Sequence, residues 1–197
     1  MTAPRARGRL TLALRILFGA AFLLYPLIVW YALSRGSPRS AAIVALCLVL
    51  PVAIVRLRGQ DPRALGSLAL VPFFVVIALT LSLVLDHAGF VLAVPAMVNA
   101  MLLFAFASTL RRGSVPMIER FARLQLANPT PDQVRWCRDW TWIWCRFFVL
   151  NGVTAAALAI WAPIEWWAIY NGGLAYVGIG ALLAIEWTLR RRRFGPT

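Results

Sequence analysis

The feature that most constrains this chain is a series of apolar blocks, each closed by arginines or by a short polar turn. A helix that crosses the hydrocarbon of a bilayer needs about 17–25 predominantly apolar residues. Blocks of that kind run approximately over 11–33, 40–56, 65–85, 90–110, 140–161 and 164–189. Hydrophobic side chains make up 61% of the 197 residues and charged ones 14%. Soluble domains carry about 45–50% and 25%, so an ordinary soluble enzyme is excluded. The pattern predicts an all-α, polytopic protein: one membrane domain over 1–197 with six transmembrane helices. A charged start before an apolar run has the look of a signal peptide. The first block is too long for one and further spans follow it, so it reads as a retained helix.

All 20 basic residues are arginine, and the formal net charge is +13. Such a balance can mark a nucleic-acid binder, but here the arginines cluster at block ends, where they act as topology markers and phospholipid contacts. With the N-terminus inside, the cytoplasmic segments hold Arg5, Arg7, Arg9 and Arg15, then Arg56, Arg58 and Arg63, then Arg111, Arg112, Arg120, Arg123, Arg135 and Arg138, and finally Arg190 to Arg193. The outer connections hold only Arg35 and Arg39, and Arg146 lies inside a block. This asymmetry predicts both termini on the cytoplasmic side of a bacterial inner membrane. Anionic inner-leaflet lipid is the expected partner, and nucleic acid is not. The aromatics follow the same order: Trp30, Tyr31, Trp161, Trp166 and Trp167 at the outer boundary, Trp136, Trp140 and Trp187 at the inner one.

The long connection between the fourth and fifth blocks has structure of its own. Over 116–127, Met117, Ile118, Phe121, Leu124 and Leu126 fall broadly on one side of a helix, with Glu119, Arg120 and Arg123 elsewhere. That is the pattern of an amphipathic helix lying in the membrane interface. Asn128-Pro129 breaks it, and Thr130-Pro131-Asp132-Gln133 reads as a capping box with proline at the first helical position. The fifth helix is therefore expected to begin near Pro131, before it enters lipid. No internal repeat is visible, so an inverted-repeat transporter is not indicated.

Polar groups within apolar spans are costly and are the first candidates for function. Four stand out: Asn99, Arg146, Asn151 and Glu186. Arg146, two turns into the fifth span, admits three readings: snorkelling to inner-leaflet phosphates, a pair with Glu186, or contact with a ligand. Glu186 also has Arg190 four residues on, in the favourable order. Asn99 and Asn151 fall at matching depth, which suits a hydrogen bond between helices. Gly152, with Gly172, Gly173, Gly178 and Gly180, suggests close packing of the fifth and sixth helices.

Chemistry finds little support. Asp86-His87 sits at a polar turn with Glu165 on the same side, and Ser82 is one helical turn earlier. Adjacent Asp and His cannot serve as orienter and base for that serine, and no nucleophile elbow, metalloprotease, phosphate-loop or dinucleotide motif occurs. Cys47, Cys137 and Cys145 are read as free thiols; the last two lie about 12 Å apart along one helix, beyond bridging distance. No catalytic residue, cofactor or metal is assigned. A membrane-embedded acyl- or phospho-transferase would lack both base and metal set.

From Pro116 onward the chain resembles the bacterial intracellular septation protein A (YciB) family. The resemblance is carried by Pro116-Met117-Ile118-Glu119-Arg120, by Trp144 followed by Phe147-Phe148-Val149-Leu150-Asn151-Gly152, and by Trp161-Ala162-Pro163. It extends by topology over the whole chain and looks closer still to an uncharacterised offshoot of six-helix inner-membrane proteins, whose genes resemble accessory components of aryl-polyene or fatty-acid-like gene clusters. The resemblance implies a non-enzymatic inner-membrane protein of envelope integrity and brings no catalytic residues; Arg146 lies outside the shared pattern. Under that reading Arg120, Arg123, Arg190, Arg191, Arg192 and Arg193 contact anionic lipid or other inner-membrane proteins. A second reading is a carrier or flippase for a lipid or small amphiphile, with Asn99, Arg146, Asn151 and Glu186 lining its path.

Overall fold

The computed structural model describes residues 24–59, 71–124 and 129–195. All regular structure among them is helical, with no strand. In chain order the elements are α1 (24–35), α2 (Pro38–Gly59), α3 (Val71–Leu85), α4 (Ala88–Ser108), a short α5 (Met117–Ala122), α6 (Pro131–Trp161) and α7 (Ile164–Phe194). α4, α6 and α7 are long and apolar enough to cross a membrane, while 38–51 and 71–85 are shorter apolar helices. The described part of each of the six apolar blocks is helical. The starts of the first and third blocks, the arginines before residue 24, Arg63, Leu126 and Asn128 lie outside the described residues.

Local chemistry sets the helix starts. Ser37 and Ser40 exchange side-chain and backbone bonds around Pro38, which opens α2 where its missing N–H costs nothing. At α6 the Thr130 hydroxyl accepts from the Gln133 N–H while the Gln133 side chain accepts from the Thr130 N–H, with Pro131 at the first helical position. This is the reciprocal cap that the sequence foretells. Between α3 and α4 the chain turns through Asp86 at φ 50°, and the His87 imidazole Nδ1 accepts from the Gly89 N–H to cap α4. Ser82 closes the turn by donating to the His87 carbonyl at 2.8 Å.

Packing is most extensive between α4 and α6, then between α2 and α3 and between α3 and α4. Small residues let α2 approach closely: Ala41, Ala42, Ala45 and Ala53 are all buried. The core forms two clusters. One gathers Tyr25, Val29, Val75, Leu79, Val91, Val94 and Trp167; the other gathers Phe106, Met117, Ile118, Trp140, Trp144 and Phe148. Between these clusters α4, α6 and α7 each carry polar residues: Asn99, Asn151, and Tyr170 with Asn171.

Pro95 lies inside α4 and has no N–H to give the Val91 carbonyl one turn back. Tyr25 of α1 supplies the missing donor, its hydroxyl bonding Val91 O at 3.0 Å. The next carbonyl, Leu92 O, accepts the indole N–H of Trp167 at 3.0 Å. A proline that would weaken a lone helix thereby becomes the point where α1 and α7 fasten onto α4.

Several expectations need correction. Trp167 and Trp140 are buried in the protein and are not boundary aromatics, whereas Tyr31, Trp161, Trp166 and Trp187 are exposed. The helix expected over 116–127 is only Met117–Ala122, and its polarity differs from an interfacial helix. Met117, Ile118 and Glu119 are buried against α6, while Phe121 and Leu124 are exposed. The reason is capping: Thr109 Oγ1 accepts from Met117 N–H at 2.9 Å and Thr141 Oγ1 from Ile118 N–H at 3.3 Å, which draws the first turn into the bundle. Gly152 does make a close approach, but to α4; a Cβ there would stand 3.0 Å from Asn99 Cβ. Gly178 does pack closely on α6, where a Cβ would stand 3.2 Å from Phe147 Cε2, while Gly173 and Gly180 face open space.

The fold predicts that Tyr25→Phe strands a buried carbonyl, at a cost of about 1–3 kcal/mol. Thermal unfolding of the full chain in detergent measures it. In a Pro95→Ala background, where an N–H again reaches Val91 O, the same substitution should cost much less; an equal cost in both backgrounds would refute the assignment.

Candidate functional site

The polar residues of the apolar spans fall into three separate places. In the first, Asn151 Nδ2 donates to Asn99 Oδ1 at 3.0 Å, and the Tyr170 hydroxyl donates to Asn151 Oδ1 at 2.8 Å. Asn99 Nδ2 in turn bonds Pro95 O, and Asn171 Nδ2 bonds Trp167 O. The Asn–Asn bond expected from matching depth is present, and it is extended to α7 by a tyrosine that the sequence reading passed over. Its placement depends on a π-helical turn at Tyr170–Leu174, where Ala175 N–H bonds Tyr170 O. The signal was there in Tyr170-Asn171-Gly172-Gly173, a run of poor α-formers within an apolar span.

The second place is the end of the bundle where α4 finishes, α6 begins and α7 finishes. Arg138 Nη2 bonds the Leu110 carbonyl at 2.7 Å, and Trp136 meets Phe194 with ring centroids 5.8 Å apart. Glu119 and Glu186 are buried here, near the buried thiol of Cys137. Glu119 is held by Arg123, whose Nε and Nη2 both bond one carboxylate oxygen at 2.8 and 2.6 Å. Glu186 lies within electrostatic reach of the Trp144 indole and of Arg190. No hydrogen bond closes on the Trp144 N–H, and no arginine stands within ion-pair distance of Glu186 among the described residues.

Most of the arginines at this end look outward. Arg111, Arg112, Arg120, Arg123, Arg135, Arg138 and Arg191 to Arg193 are exposed, and Arg190 is half-buried. Several are ordered by neighbours: Arg191 stacks over Trp187 at 4.3 Å, Arg193 over Trp136 at 5.4 Å, and Arg120 Nε bonds Val115 O. Among the described residues the opposite end carries only Arg35, over the Tyr31 ring, and Arg39, 3.7 Å from Asp86.

Arg146 occupies the third place. Its side chain is exposed on the outer face of α6, in a shallow groove of about 370 Å³ that it lines with Asp139, Trp142 and Ile143. It forms no pair with Glu186, because the two project to different sides: Trp144 and Cys145 turn inward, while Trp142 and Arg146 turn outward. The four candidate residues therefore do not share one site. Asn99 and Asn151 are together, and Arg146 and Glu186 are each elsewhere.

No family model, no curated protein and no solved structure matches this chain. Among the described residues no group of three or more His, Cys, Asp and Glu is arranged to hold a metal ion. Cys47 is exposed and Cys137 and Cys145 are buried, all three as free thiols. His87, Asp86 and Ser82 are engaged in the turn and the α4 cap.

The asparagine network predicts energetic coupling between α4 and α6. A double-mutant cycle of Asn99→Ala and Asn151→Ala, read by reversible unfolding in detergent, should give about 0.6–1.7 kcal/mol of interaction. Gly152→Ala should destabilise through the contact with Asn99 Cβ and lose most of that cost in an Asn99→Gly background, where that carbon is gone. Strictly additive single effects would contradict the geometry.

Proposed function

We propose that the chain is a multi-pass protein of the bacterial inner membrane, crossing six times with both termini cytoplasmic, that supports the cell envelope without chemistry of its own. It works by holding anionic lipid, and other inner-membrane proteins, at its arginine-rich end. Service as an accessory to lipid-like or aryl-polyene synthesis falls within this reading, which the resemblance to the septation protein A family also favours.

The observation that supports it is the spatial separation of charge. Arginines from the connection after α4, from α5, from the start of α6 and from the end of α7 gather at one end of the bundle. Of the acids near them, Glu119 and Asp132 are already paired, with Arg123 and Arg135. Each unpaired arginine close to an anionic membrane surface contributes about 1 kcal/mol of attraction. Rings of Trp136 and Trp187 hold two of the guanidinium groups at the level where an aromatic side chain prefers the interface. Arg123 is a poor free contact, since its guanidinium is committed to Glu119.

Replacing Arg190 to Arg193 by glutamine should lower the anionic lipid that co-purifies with the full chain several-fold, with helical content unchanged. Retention of wild-type lipid by this variant would sink the proposal. In cells, deletion of the gene should alter the lipid extract seen by mass spectrometry, and the glutamine variant should fail to restore it.

A further inference from the structure

We propose that the outer face of α6 formed by Asp139, Trp142, Ile143 and Arg146 is a seat for one zwitterionic phospholipid carrying an amine in its headgroup. The phosphate rests on Arg146, the ammonium on Asp139, and the glycerol and upper acyl region on Trp142 and Ile143. This rests on the membrane reading above and deepens it by naming a lipid class at a place the arginine-rich end does not include.

The argument begins with helix geometry. Residues 139, 142, 143 and 146 follow the spacing that brings side chains onto one face, and all four line one groove of about 370 Å³. α6 has 31 residues, about 46 Å of helix, against about 30 Å of hydrocarbon. With Trp161 at the outer boundary, roughly the first ten residues project beyond the hydrocarbon. Asp139 then stands among headgroups and Arg146 just within the apolar zone. A lone guanidinium there is costly unless an anion meets it.

No anion of the described residues does so. Arg146 is in no ion pair, and Glu186 lies on the buried side of the bundle. Side chains on a helix lean toward its N-terminus, so Arg146 reaches back over the turn of Trp142 and Ile143, towards Asp139. Of the neighbouring cations, Arg135 is paired with Asp132 at 2.6 Å, and Arg138 is turned away to the Leu110 carbonyl. What the face offers is one cation below one anion, with an exposed indole between them. A phosphate with an amine beyond it complements that order. A purely anionic headgroup would satisfy Arg146 and be repelled by Asp139.

Native mass spectrometry of the full chain in mild detergent, with phosphatidylethanolamine and phosphatidylglycerol in equal amounts, tests this. The wild type should retain phosphatidylethanolamine in at least threefold preference for one tight site. Arg146→Gln should lose that site, Arg146→Lys should keep much of it, and Asp139→Asn should bring the preference close to one while phosphatidylglycerol still binds. Both residues are exposed, and unchanged unfolding temperatures would show that the variants fold. Lipid held by the other arginines is common to all variants, so the change in ratio carries the reading. A full phosphatidylethanolamine preference kept in Asp139→Asn, an unaltered site in Arg146→Gln, or a wild-type preference for phosphatidylglycerol would each overturn the inference. Carbonate extraction of the cell membranes separates the two levels. A chain that washes off defeats the membrane reading, whereas a chain that stays with an indifferent Arg146 defeats only the lipid seat.

Discussion

Backbone carbonyls inside an apolar bundle have no water to turn to, and the architecture follows from how a few of them are satisfied. Pro95 leaves the Val91 carbonyl without its usual donor and the Tyr25 hydroxyl supplies one, while the adjacent Leu92 carbonyl takes the Trp167 indole N–H. One turn further, the Pro95 carbonyl itself is taken by Asn99, which then faces Asn151. A single break in one helix thus specifies which neighbours must stand beside it and at what height. The apolar clusters above and below supply contact area, but apolar surfaces slide; the bonded layer fixes register.

How much of this was legible in the sequence differs by kind of signal. Helix positions were, because long apolar runs and arginine stops are one-dimensional facts, and the Thr130–Gln133 cap is written in four consecutive residues. The Asn99–Asn151 bond could be read from depth alone, since two polar groups at one level of an apolar bundle have few other partners. Facing was not legible. Arg146 and Glu186 lie at comparable depth, yet one looks out and the other in, and nothing in their spacing says so. The short α5 misled for a related reason: its amphipathic pattern has two solutions, and the hydroxyls of Thr109 and Thr141, distant in sequence, select the one with Met117 and Ile118 inside.

The buried acids at the arginine-rich end show how charge and packing are combined there. Glu119 is buried but answered by a guanidinium that itself reaches solvent, so the pair needs no dry counter-charge. Glu186 has only more distant partners, Trp144 and Arg190. An end crowded with like charges repels itself, and acids inserted beneath it relieve that repulsion while leaving the outward guanidinium groups available. The aromatic platforms of Trp136 and Trp187 do the same for Arg193 and Arg191 without any charge.

The π-helical turn in α7 has a further effect on phase. An α-helix advances about 100° per residue, and a π-turn in effect inserts one extra residue. Counted without it, Glu186 would sit about 100° away from Trp167 around the axis. With it, the two return to the same side, and both are buried. α7 is therefore two faces spliced by a one-residue frame shift. The bond from Tyr170 to Asn151 at the splice sets the rotational origin from which every later side chain of the helix, including the terminal arginines, is aimed.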